Sequence, residues 1–162
     1  MIDLDSNVVT IDKTDSPLGI SDNKLKHSLG VARRCYVLAK EHNFSENLCL
    51  HMYVVGMLHD IGYDFTDVSE CHPEVGYEIL RSAGLDAKEV LHHGKPITNE
   101  ELNQTVQECL NILNEADLTV SYIGELVPVT ERLESIKDNY GKNSHQYINS
   151  VELAIKLGLL NK

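Results

Sequence analysis

The sequence predicts an all-α protein: a compact bundle of about six to seven helices over residues 21–162, behind an N-terminal extension of residues 1–20. Three observations carry that reading. Apolar side chains recur at helical spacing through most of the chain. Residues 48–59 contain no Asp, Glu, Lys or Arg, which predicts a central helix surrounded by other elements. Only Val8-Val9-Thr10-Ile11, ahead of the turn residues Asp15-Ser16-Pro17, has the composition of a short strand, and nothing around it supplies a partner.

The elements follow in order. Ser21 or Asp22 caps a first helix running to about Glu41, with Leu25, Leu29, Ala32, Tyr36 and Ala39 inward and Lys26, Arg33 and Lys40 on the wet side. Ser45 caps the central helix, and Gly62 offers a left-handed stop. His72-Pro73 opens a third helix, because proline at the first helical position loses no hydrogen bond, and it closes near Gly84. A short fourth helix runs from Asp86 to about Gly94, where Lys95-Pro96 prevents continuation. Thr98 and Glu101 read as a capping box, with Ile97 and Leu102 as its staple, for a fifth helix reaching about Tyr122. After a connection over Gly124–Pro128, Thr130–Tyr140 and Ser144–Leu160 read as two helices separated by Gly141.

A chain of 162 residues is the usual size of one domain. The formal charge of -11 opposes nucleic-acid polymers and anionic membranes, and no basic patch offsets it, so a small molecule is the expected partner. Cys35, Cys49, Cys71 and Cys109 have no paired spacing, which argues against a zinc ribbon, a dithiol redox site or a disulfide scaffold. Cys35, Cys49 and Cys109 lie among apolar neighbours and read as small core residues. With Asp3, Asp5 and Asp12 near the start and no apolar run of membrane-spanning length, the expected location is the cytoplasm.

The chemistry begins at His59, which continues the apolar stripe Leu48, Met52, Val55, and at Asp60 beside it. A carboxylate in the last turn of a buried helix meets the negative end of the dipole and loses its hydration, so a positive partner is required. For a lone His-Asp pair an arginine is the commoner partner. Asp117 changes that balance, because Val106, Leu110, Leu113 and Val120 share its helical face and carry a second carboxylate inward. With few basic residues nearby, a divalent cation answers both. His27, at the edge of the first helix's buried face, adds a fourth group. Two imidazoles and two carboxylates suit Mn, Fe, Zn, Co or Ni, and such an ion acidifies water and polarises a phosphoryl oxygen.

His27, then Leu58-His59-Asp60-Ile61-Gly62, then Asp117 resembles the HD-domain superfamily of metal-dependent phosphohydrolases. Further likeness lies in His72-Pro73-Glu74-Val75-Gly76, the pair His92-His93, and Glu115-Ala116-Asp117-Leu118-Thr119, so it spans roughly residues 22–140. The resemblance implies a helical bundle with the metal at its centre, held by His27, His59, Asp60 and Asp117, with His59 and Asp60 carrying catalysis. It implies phosphoester hydrolysis, with a nucleotide as the default substrate. Some relatives hold a second ion bridged by the residue matching Asp60, for which His72 and one of His92 or His93 are the candidates here. One ion and two remain open at this point. Lys95 and Arg132 are candidate phosphate contacts, although most such residues on helices are solvated. A silent ligand-binding or regulatory module, and a closed structural metal site, are the competing readings.

Overall fold

The structure, a computed structural model, describes residues 22–161. The expected strand at Val8–Ile11, its turn and the cap at Ser21 lie outside the described residues. Within them the chain forms α1 (Asp22–Glu41), α2 (Glu46–Leu58), α3 (His72–Ser82), α4 (Lys88–His92), α5 (Gln104–Leu118), α6 (Val129–Tyr140) and α7 (His145–Lys156). Two 3-10 turns, Ile61–Asp64 and Ser69–Cys71, link α2 to α3. Among the described residues the extended pairing is one isolated antiparallel bridge, Val120 to Leu126, so the fold is the expected all-α bundle.

Side chains of α1, α2, α4 and α5 meet in the larger core, where Val31, Cys35, Cys49, Met52, Val55, Val90 and Leu113 are fully buried. Each large apolar side chain so enclosed contributes about 1.5–3 kcal/mol. A smaller cluster joins Leu118 of α5 to Leu133 and Ile136 of α6 and to Leu153 and Ala154 of α7. Cys35, Cys49 and Cys109 are core residues as expected, and burial pushes the Cys35 thiol up. No helix of the described residues is long and apolar enough to cross a membrane.

Several helix ends follow the sequence closely. Ser45 Oγ accepts from the Leu48 N–H at 3.3 Å, and Ser144 Oγ accepts from the Tyr147 N–H at 3.2 Å. Pro73 lies in the first turn of α3. Others depart from it. The capping box at Thr98–Glu101 does not cap: α5 starts six residues later, where the Asn103 side chain accepts from the Val106 N–H at 2.9 Å, and Ile97 is exposed rather than stapled. Thr98 Oγ1 instead lies 3.0 Å from His92 Nδ1. At its other end α5 stops at Leu118, short of Tyr122. Asp86 precedes α4 and accepts from the Tyr77 hydroxyl at 2.9 Å. The central helix is not surrounded on every side, since Leu50 and Val54 are exposed; isolated apolar residues at a surface carry no large penalty.

Gly62 is a further correction. It does not stop α2 with a left-handed conformation but sits buried in the 3-10 turn with negative φ. Its missing side chain matters for another reason: a Cβ there would lie 1.9 Å from the His72 carbonyl oxygen. The glycine therefore lets the segment after α2 rest directly on the start of α3.

Candidate metal centre

Five segments deliver imidazoles and carboxylates to one point. His59 caps the C-terminus of α2, and Asp60 follows directly after that cap, at the entry to the 3-10 turn rather than in the last helical turn. His72 opens α3, His93 follows α4, His27 comes from α1 and Asp117 from α5. His59 is fully buried, and His27 and His93 are nearly so.

The backbone aims three of these rings. His27 Nδ1 lies 3.0 Å from Ser121 O, His59 Nδ1 2.7 Å from Gly56 O, and His93 Nδ1 2.6 Å from Val90 O. A carbonyl oxygen only accepts, so each Nδ1 carries the proton, and in the neutral ring Nε2 presents a lone pair inward. For His27 the contact depends on two glycines. A Cβ on Gly30 would meet Gly124 O at 2.5 Å, and one on Gly124 would meet Lys26 O at 2.3 Å. The loop bearing Ser121 thus lies flat against α1.

At the centre Asp60 divides its carboxylate. Oδ2 is 3.2 Å from His59 Nε2 and 4.0 Å from His27 Nε2, whereas Oδ1 is 3.4 Å from both His72 Nε2 and His93 Nε2. Asp117 Oδ1 lies 3.0 Å from His27 Nε2 and 3.7 Å from His59 Nε2. Two triads result, His27-His59-Asp60 and Asp60-His72-His93, and in each the donor atoms lie within 4.8 Å of one another.

This geometry fits a cation. His59 Nε2 is buried without a hydrogen-bond partner; Asp60 Oδ2 is close to it but not aligned to accept. Burial opposes charge on His59, yet the Asp60 and Asp117 carboxylates outweigh burial and raise its pKa well above the ordinary value. Burial likewise opposes ionisation of the two carboxylates. The imidazoles of His59, His72 and His93 nonetheless hold Asp60, and those of His27 and His59 hold Asp117, well below the usual range. Carboxylates facing inward Nε2 atoms form a donor set that could hold a metal ion.

The cluster opens into a cavity of about 270 Å³. Lys24, Tyr63, Lys95, Tyr122, Arg132 and Tyr140 share its wall. Tyr63 stacks on His72 at 3.8 Å between ring centroids, steadying the imidazole that occupies the start of α3.

Some sequence-derived candidates move. His92 is not at the cluster: its Nε2 lies 3.2 Å from Glu100 Oε2, and Thr98 engages its Nδ1. The two histidines part because His92 ends α4 whereas His93 already has extended backbone. Lys95 lines the cavity with its ammonium paired to Glu74. Arg132 is not a solvated surface residue but buried, donating from Nε to Asp117 O at 3.1 Å and from Nη2 to Asp117 Oδ1 at 3.4 Å. Asp117 therefore does have a basic neighbour, while Asp60 faces imidazoles. Lys24, Tyr63, Tyr122 and Tyr140 were not singled out by the sequence. A signal did exist for Lys24, one turn before His27, and for Tyr140, in step with Arg132 and Ile136 at intervals of four.

Fold and site together define an all-α protein built around a His/Asp cluster of metal-ligating type. The HD domain family model matches residues 25–121, more than half of the chain, and the protein belongs to that family. HD domains bind divalent metals and are typically metal-dependent hydrolases. The matched segment starts just before His27 and ends just after Asp117, so it contains the whole cluster, while α6 and α7 lie beyond it. No curated protein and no solved structure matches the chain.

Proposed function

We propose that the protein is a metal-dependent phosphohydrolase that cleaves a phosphate ester or anhydride of a small molecule, with nucleotides the first class to test. The observation that carries this reading is the division of Asp60 between two triads. His27, His59 and Asp60, with Asp117 beside them, would hold one ion, and Asp60 with His72 and His93 would hold a second. When bound, the metal acidifies water and polarises a phosphoryl oxygen. The chain's own groups prepare for that chemistry. The backbone carbonyls of Ser121, Gly56 and Val90 keep three imidazoles in the ligating tautomer. Asp60 and Asp117 are carboxylates ionised at neutral pH and supply the negative charge a cation needs. The cluster opens onto a cavity, whereas a structural metal site is closed and dry.

The test is elemental analysis of wild type and Asp60→Ala after loading with Mn, Fe, Co or Ni, together with hydrolysis of an aryl phosphate and a nucleotide panel. Wild type should bind metal and turn over, and Asp60→Ala should lose both because it removes a ligand from each triad. A wild-type protein that binds no metal under any loading condition overturns the reading. Metal without turnover on any substrate would instead favour a ligand-binding module.

A further inference from the structure

Arg132 comes from α6, outside the segment matched to the HD domain, and its side chain is 7% exposed on the wall of the cavity. A guanidinium has five N–H donors. Here Nε and Nη2 go to Asp117, the plane lies 4.5 Å over the Tyr122 ring, and Nη1 is buried with no hydrogen-bond partner. An unsatisfied buried donor on a charged group is costly, so the guanidinium gains by turning toward an anionic oxygen in the cavity that Arg132 lines. The other two cations of the wall are matched to carboxylates, Lys24 to Asp64 at 3.7 Å and Lys95 to Glu74. Arg132, although paired with Asp117, thus keeps one donor in reserve beside the cavity.

We propose that Arg132 binds a terminal phosphoryl oxygen of the substrate and makes the site selective for phosphomonoesters over phosphodiesters. The inference rests on the phosphohydrolase reading above. A monoester dianion has three terminal oxygens, so one is available to a guanidinium standing beside the metal cluster. A diester carries a single negative charge on two such oxygens. His145, Gln146 and Asn149 of α7 form part of the wall, and the cavity, about 270 Å³, is small beside the roughly 300–1,000 Å³ usual for ligand pockets, which favours a compact substrate with a single leaving group.

The experiment compares wild type, Arg132→Lys and Arg132→Gln in the metal-loaded form, each with its metal content measured. Inorganic phosphate binding is read by calorimetry, and hydrolysis of p-nitrophenyl phosphate is set against bis(p-nitrophenyl) phosphate. Wild type should prefer the monoester. Arg132→Gln should keep its metal, bind phosphate about 10- to 100-fold more weakly and lose most of the monoester preference; Arg132→Lys, which keeps the charge without the planar fork, should fall between. A role limited to supporting Asp117 would lower both hydrolytic rates together and leave their ratio unchanged. An unchanged ratio, undiminished phosphate affinity in a metal-bearing Arg132→Gln, a wild-type preference for the diester, or loss of metal from both variants would each overturn the proposal. Absence of turnover in wild type with Arg132-dependent phosphate binding would instead remove the hydrolase reading and leave Arg132 as the anion contact.

Discussion

The two sides of the cavity are supported differently. On one side α1, α2, α4 and α5 enclose a large core in which Met52, Val55 and Leu113 are completely buried, and backbone carbonyls fix the imidazoles above it. On the other side α6 and α7 rest on a cluster of five buried residues, and line the cavity with Arg132, Ile136 and Tyr140 at intervals of four on α6 and with His145, Gln146, Asn149 and Ser150 on α7. The difference teaches where tolerance lies. The imidazoles of the cluster are aimed by main-chain contacts that a shift of the core disturbs, while the facing wall depends on side chains, of which Arg132 alone is tied to the cluster, through Asp117.

Substitutions separate the two sides. Met52→Ala in the large core should cost about 3–5 kcal/mol of unfolding free energy, and Leu153→Ala in the small one about 2–3, because a lightly packed hairpin collapses more readily around a void. Chemical denaturation measures both. Elemental analysis sharpens the contrast: Leu153→Ala should keep its metal, and its loss there would merge the two sides into one unit. Gly62→Ala should cost about 1–3 kcal/mol and also release metal, since the 1.9 Å approach to the His72 carbonyl forces apart the turn carrying Asp60 and the start of α3. Retained metal in Gly62→Ala would show that the junction yields without moving its ligands.

The smallest effect concerns His51, whose Nε2 lies 3.1 Å from the buried Glu89 on the core side. The bond to Glu89 raises its pKa, against the opposing influence of burial. A raised histidine contributes stability that is complete below the unfolded value of about 6.5 and is lost as pH rises through the folded value. Wild type should therefore lose about 1 kcal/mol or less relative to His51→Gln as pH increases above 6.5. Parallel stability curves for the two proteins would remove His51 from the account.

Much of the His/Asp cluster was legible in the sequence. His59 followed from the stripe Leu48, Met52, Val55, and Asp117 from Leu110, Leu113 and Val120, because helical periodicity reports direction wherever a long helix has one buried face. His93 could not be separated from His92 in that way, since the helix ends between them and periodicity ceases to apply. The Thr98–Glu101 box misled for a related reason. It is a local pattern, and Asn103 stood five residues further on with an equally good capping side chain. Arg132 was obscured by composition: arginine on an acidic protein is usually wet, and its burial depends on Asp117 and Tyr122, contacts that no local pattern records.

The contact between Gly30 and Gly124 bears on protein engineering. Replacing a glycine within a helix by alanine is a routine stabilising change worth about 1 kcal/mol in backbone propensity, and Gly30, in the middle of α1, is a natural target for it. The added methyl would instead press on the Gly124 carbonyl. The resulting displacement passes to Ser121, three residues earlier in the same loop, whose carbonyl sets the His27 ring. A change introduced for thermal tolerance would thus lose its expected gain and disturb the aim of an imidazole it was never meant to touch.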